Sequence, residues 1–127
     1  MFKKLMPILA LALVMTGCTS TSITNLTAKQ TFRNANGLYP VEVALSSRQQ
    51  TLRWPTIKAN AVMDNEFYAM RMTSLMTNRW ETLIPVPADK NIVYFRFKFD
   101  YTYDAFASPG KMDSVLSPIY RLQILDK

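Results

Sequence analysis

The chain has 127 residues, 49% of them apolar and 19% charged, with only 3 glycines, a balance that suits one folded domain with a modest core and argues against wholesale disorder. Its formal charge of +6 comes from 15 Lys+Arg against 9 Asp+Glu; the cations are dispersed along the chain, which excludes the basic stripe of a nucleic-acid binder. With no histidine and a single cysteine, it lacks an intrachain disulfide, a Cys/His metal cage and the usual general base near neutral pH.

The opening stretch MFKKLMPILALALVMTGC has three parts. Lys3 and Lys4 form a positive n-region. Leu5 to Met15 is an apolar run of about eleven residues, well short of the roughly 20 that a spanning helix needs. The small residues Thr16 and Gly17 then stand directly before Cys18. An ordinary secretory signal or an anchor helix with an incidental cysteine is the plainer alternative, but a simple anchor needs a longer apolar run.

This segment resembles the signal of bacterial lipoproteins, in which a lipobox places an apolar residue, two small residues and a cysteine in that order. Here it is Met15-Thr16-Gly17-Cys18, with Met15 where the family usually has leucine. The resemblance covers only these first residues. It implies that residues 1–17 are a cleaved signal peptide, and that Cys18 carries a thioether-linked diacylglycerol and an acyl chain, such as palmitate, on its amine. Cys18 is then a membrane anchor and not a nucleophile or ligand; two or more acyl chains hold a protein stably where one does not. In the same family an Asp after the cysteine favours the inner membrane. Thr19 therefore implies the outer membrane of the cell envelope, facing the periplasm or the surface.

Residues 18–22 read as a lipidated tether and 23–127 as one domain. Ile23 to Thr27 suits a first edge strand, and Asn36-Gly37 is a turn signal. LYPVEVALSS alternates, with Tyr39, Val41, Val43 and Leu45 on one face. SRQQTLRWP is polar and ends at Pro55, which suggests a loop or corner. TIKANAVM and EFYAMRMTSL flank Asp64-Asn65, the signature of a hairpin. RWETLIPVP places Trp80, Thr82 and Ile84 together and is closed by Pro85 and Pro87, before a turn at Ala88–Asn91.

The strongest strand signal is NIVYFRFKFDYTY. Val93, Phe95, Phe97, Phe99 and Tyr101 share one face, while Tyr94, Arg96, Lys98 and Asp100 share the other; a helix would scatter those charges round its circumference. ASPGKMDS reads as a loop centred on Pro109-Gly110, and PIYRLQIL as a closing strand with Tyr120, Leu122 and Ile124 facing one way. About seven short strands with turns between them and no helical period predict an all-β, antiparallel two-sheet sandwich. In architecture alone it resembles immunoglobulin-like and fibronectin-type domains, with NIVYFRFKFDYTY and IYRLQIL as a final hairpin. The inter-sheet disulfide of antibody domains has no counterpart here.

Catalysis finds little support in these residues. Glu42, Glu66, Glu81 and six aspartates are scattered over strands and turns, and no Gly-rich phosphate loop or nucleophile elbow appears. The expectation is a protein without catalytic residues, cofactor or metal. Met63, Met70, Met72 and Met76 raise a Cu(I) site, since thioethers are soft ligands, but gap-filling in a core is their commoner use. Among the aromatics Trp54, beside Pro55, and Tyr94, on the charged face, are the candidates for stacking on a glycan. Arg96 and Lys98 share that face with Tyr94, as a contact for an anionic group or an acidic partner. These four are the candidate binding residues. The expected role is structural or adaptor-like, joining other envelope proteins at the membrane, with a glycan-binding module as the alternative.

Overall fold

The computed structural model describes residues 21–47, 52–105 and 108–126. The expected signal peptide, Cys18 and the first part of the expected tether lie outside them, as do residues 48–51 and 106–107.

Among the described residues there are ten strands and no helix: β1 (Thr21–Asn25), β2 (Gln30–Phe32), β3 (Leu38–Ser47), β4 (Leu52–Met63), β5 (Glu66–Ala69), β6 (Arg71–Met72), β7 (Arg79–Pro85), β8 (Ile92–Ala105), β9 (Ser108–Leu116) and β10 (Tyr120–Leu125). They form two layers. One sheet has the order β1-β3-β7-β6; the other runs β2-β10-β8-β4-β5, with β9 also paired to β8. All pairings are antiparallel except β2 with β10.

Alternation decides which side chains go inside. Tyr39, Val41, Val43 and Leu45 of β3 are buried against Val93, Phe95, Phe97 and Phe99 of β8, with Trp80, Ile84, Leu122 and Ile124 completing one core. Trp80 meets Phe99 edge-on across the layers at 5.3 Å between ring centroids. Each such large side chain contributes about 1.5–3 kcal/mol on burial, so this shared face dominates the stability of the sandwich-like fold.

Turn chemistry closes the strands. Asp64 and Asn65 both have positive φ (52° and 65°), as a two-residue hairpin turn matching strand twist requires, and Met63 pairs with Glu66 across it. At Gly37 (φ 69°) a Cβ would lie 3.3 Å from the Val86 carbonyl oxygen, and Asn34 Oδ1 accepts the Gly37 N–H at 2.8 Å. Leu75 also adopts φ 64°, which costs a bulky residue about 1–2 kcal/mol.

Four features depart from the sequence reading. β1 starts at Thr21, so Thr21 and Ser22 belong to a strand and not to the tether. Leu52 to Pro55 is strand rather than loop: a bulge between Arg53 and Lys58 absorbs the extra residues, and Thr56 Oγ1 accepts the Thr102 N–H at 3.0 Å in place of a backbone group. Residues 108–114, expected as part of a loop, belong to β9 (Ser108–Leu116), whose partner is the second half of β8. The described residues hold ten strands rather than about seven: β9 is one addition, and the short edge pieces β2 and β6 carry too few residues to show a period.

β9 and β10 lie end to end along one side of β8, so the expected final hairpin of β8 and β10 is an interrupted one. At the break, buried Ser117 donates its N–H to the Phe97 carbonyl (2.9 Å), and its Oγ accepts the Phe97 N–H (2.8 Å). One side-chain hydroxyl thus replaces a missing ladder acceptor.

Candidate functional site

Because the core takes every second residue of β8, the intervening ones project from the outer face of the six-stranded sheet. Strand pairing sets their neighbours. Arg96 is opposite Val62 of β4, which is opposite Phe67 of β5; Lys98 lies between Asn60 of β4 and Leu116 of β9; Tyr94 is opposite Arg121 of β10. Ile119, in the link between β9 and β10, joins them. Tyr94, Phe67 and Ile119 are 58%, 57% and 63% exposed and Leu116 49%. Large apolar side chains in water on one face, around two cations, are unlike the scattered single residues of an ordinary surface.

Lys98 is held in place. Its Nζ lies 3.6 Å from Asp100 Oδ1 and 5.5 Å from the centroid of the Phe67 ring, a cation–π contact that also fixes the ring. Beside it, Tyr94, Arg96, Val62, Ile119 and the Asp64-Asn65 turn line a shallow concavity of about 320 Å³. Such a surface offers an aromatic anchor, a forked donor and an apolar wall within a few strand spacings. That composition recurs at the centres of protein interfaces.

Three of the four sequence candidates, Tyr94, Arg96 and Lys98, therefore stand together. Trp54 does not join them. It sits in β4, half-buried and packed on the core, near Ser46, Ser47, Thr77 and Asn78 at the end of the molecule where β1 begins. Tyr94 faces outward and Trp54 inward, so they cannot form one stacking platform. Phe67, Leu116 and Ile119 are the contributors that the sequence alone did not mark.

The methionines are also divided. Met63 is buried in the core. The Met70 N–H bonds to the Ala59 carbonyl in the six-stranded layer (2.9 Å), whereas Met72 pairs with Trp80 in the other layer. Met70 and Met72, whose spacing within one strand would put both sulfurs on one face, do not share a face, because the chain changes sheets between them. Among the described residues no group of three or more His, Cys, Asp or Glu is placed to hold a metal ion.

Pairing does bring two carboxylates side by side. Glu42 and Glu81 are directly opposite on the outer face of the four-stranded sheet, and Arg71 Nε lies 3.7 Å from Glu81. Next to them is a groove of about 530 Å³ between Ala69, Met70, Leu83 and Pro40. It opens where β6 pairs β7 only at Trp80 and Glu81, leaving that edge of β7 without a strand from Thr82 onward.

Electrostatic perturbations lie away from the Tyr94–Lys98 face. Asp104 is held below the usual carboxylate range by its hydrogen bonds from the Arg53 guanidinium and the Gly110 N–H, and Arg53 is correspondingly raised. Burial, with Asp113 nearby, pushes the Tyr101 phenol up; burial and Glu66 do the same for Tyr68. These groups brace hairpins rather than poise a proton for transfer.

No protein-family model and no curated protein sequence matches this chain.

Proposed function

We propose that this chain is an envelope lipoprotein, anchored through acylated Cys18, whose immunoglobulin-like sandwich acts as an adaptor for a membrane-associated protein partner. The order β1-β3-β7-β6 supports the immunoglobulin-like reading, since it corresponds to the A-B-E-D sheet of such domains, and β10-β8-β4 to their G-F-C sheet. The first strand is split, with β1 on one sheet and β2 parallel to β10 on the other. The lipobox residues Met15-Thr16-Gly17-Cys18 support the anchor, and Thr19 the outer membrane.

One observation carries the adaptor reading: Tyr94, Phe67, Leu116 and Ile119 are exposed together around Arg96 and Lys98 on the outer face of the six-stranded sheet. The partner this face fits has an apolar patch bordered by carboxylates. The tagged native lipoprotein, solubilised from membranes, should co-purify a defined set of envelope proteins, and an Arg96→Glu, Lys98→Glu version should lose them. If neither form captures a protein and both bind isolated cell-wall or surface glycan, the adaptor reading fails and the glycan-binding module replaces it.

A further inference from the structure

The two ends of the sandwich set different side chains in water. β1 begins at Thr21, three residues after Cys18, and a fully extended chain spans at most about 3.6 Å per residue. The acylated residue of the proposed anchor therefore lies within roughly 11 Å of Thr21. Thr21 pairs with Ser47 at the close of β3, and the Asn78 carbonyl accepts the Leu45 N–H at 2.9 Å, so the β6–β7 connection returns to this same end. Leu52 pairs with Tyr103 there as well.

This end carries Leu75, fully exposed at 102% in the left-handed backbone conformation, next to exposed Met76; Met112, 81% exposed, pairs with Thr102 toward the same end of the other sheet. The cations Arg53, Arg79 and Lys111 accompany them, with Asp104, already bound to Arg53, and Asp113 as the carboxylates among them. At the opposite end Asp64, Glu66, Asp89 and Asp126 stand against Arg33, Lys90 and, beside the Asp64 turn, Arg96, and Arg33 is bound to Asp126.

We infer that the end around Leu75 is a membrane-seating surface for an anionic leaflet, an inference that rests on the anchored reading of Cys18. Leu75 and Met76 enter the interfacial region, and Arg79 and Lys111 meet lipid phosphates. A bulky apolar side chain this exposed gains free energy by leaving water for the interfacial region of a bilayer. So short a tether keeps this end next to the bilayer at high effective concentration, and weak contacts then suffice. Seated in this way, the strands stand upright and the Tyr94–Lys98 face looks sideways, toward partners in the same membrane.

The test uses the acylated full chain with Leu75→Cys, in which the introduced thiol is the one free to react, labelled with an environment-sensitive fluorophore. An Asp89→Cys chain labelled at the far end serves as the reference. Both are reconstituted into phosphatidylethanolamine–phosphatidylglycerol vesicles containing a lipid quencher placed just below the headgroups. The expected result is a blue-shifted label at position 75, quenched several-fold more than at position 89. If the protein floats with the vesicles yet both labels report water equally, the seating surface is overturned while the anchor stands. If Cys18 is unmodified and the chain does not float, both are overturned.

Discussion

The outward faces of the two sheets share a core and little else. On the four-stranded sheet the outward rows are Ser22, Thr24, Ala44 and Ser46, with Glu42 and Glu81 abreast, Arg71 and Arg79 beside them, and exposed Leu83 with Pro40 as the apolar pair. Like charges directly opposite are unfavourable, and Arg71 relieves them only across 3.7 Å in water. On the six-stranded sheet the same positions of the pleat hold Phe67, Val62, Tyr94 and Leu116 with Lys58, Arg96, Lys98 and Arg121. The inward residues of both sheets answer to packing alone, whereas the outward residues are free to differ. Their difference is the part of the molecule that stability does not explain.

The largest expected effect comes from attacking that difference directly. Arg96→Glu with Lys98→Glu should reduce partner capture about 30-fold or more, as losing one side of a buried charge pair costs about 2–5 kcal/mol. The matching reversal on the other face, Glu42→Lys with Glu81→Lys, should leave capture within about twofold. Quantitative co-purification at equal expression checks both, and equal losses would erase the distinction between the faces.

Next come variants that touch the shared scaffold and neither face. Ser117→Ala leaves the Phe97 N–H without its acceptor in a buried site and should cost about 1–3 kcal/mol in urea unfolding. Gly37→Ala forces a Cβ into the left-handed region against the Val86 carbonyl and should cost about 1–2 kcal/mol by the same measurement. Partner capture per folded molecule should be unchanged in both.

Smallest is the Arg53–Asp104 pair, which is exposed and screened by salt. The folded-state pKa of Asp104 lies below its ordinary value of 3.8, so its stabilisation is present above that value and lost as pH falls through the folded one. Asp104→Asn should therefore lower the urea midpoint slightly at about pH 6, by an amount that shrinks as the pH falls below 3.8. A difference that grows on acidification contradicts the assignment.

Much of the inner fold was legible because burial imposes a period. Tyr39 to Leu45, Val93 to Phe99 and Leu122 with Ile124 declare their buried side by alternation, and the Asp64-Asn65 hairpin by turn chemistry. β9 was not legible: Pro109, Gly110 and Asp113 look like a loop, and the strand exists because β8 offers a long edge to pair with. The bulge near Trp54 was hidden for a related reason, since Pro55 signals a break and only pairing reveals that Leu52 to Pro55 belong to the strand that follows. The candidate surface divides in the same way. Tyr94, Arg96 and Lys98 lie on one strand and alternate, so their shared face follows from the chain alone. Phe67, Leu116 and Ile119 reach them through registers that no local pattern encodes.

Everything proposed for this protein depends on its attachment to the membrane, and the intact mass of the native protein recovered from membranes tests that most directly. The account predicts a chain that begins at Cys18 and is heavier than residues 18–127 by a diacylglycerol and an acyl chain. A soluble chain that retains residues 1–17, or one whose Cys18 thiol is free, would contradict it.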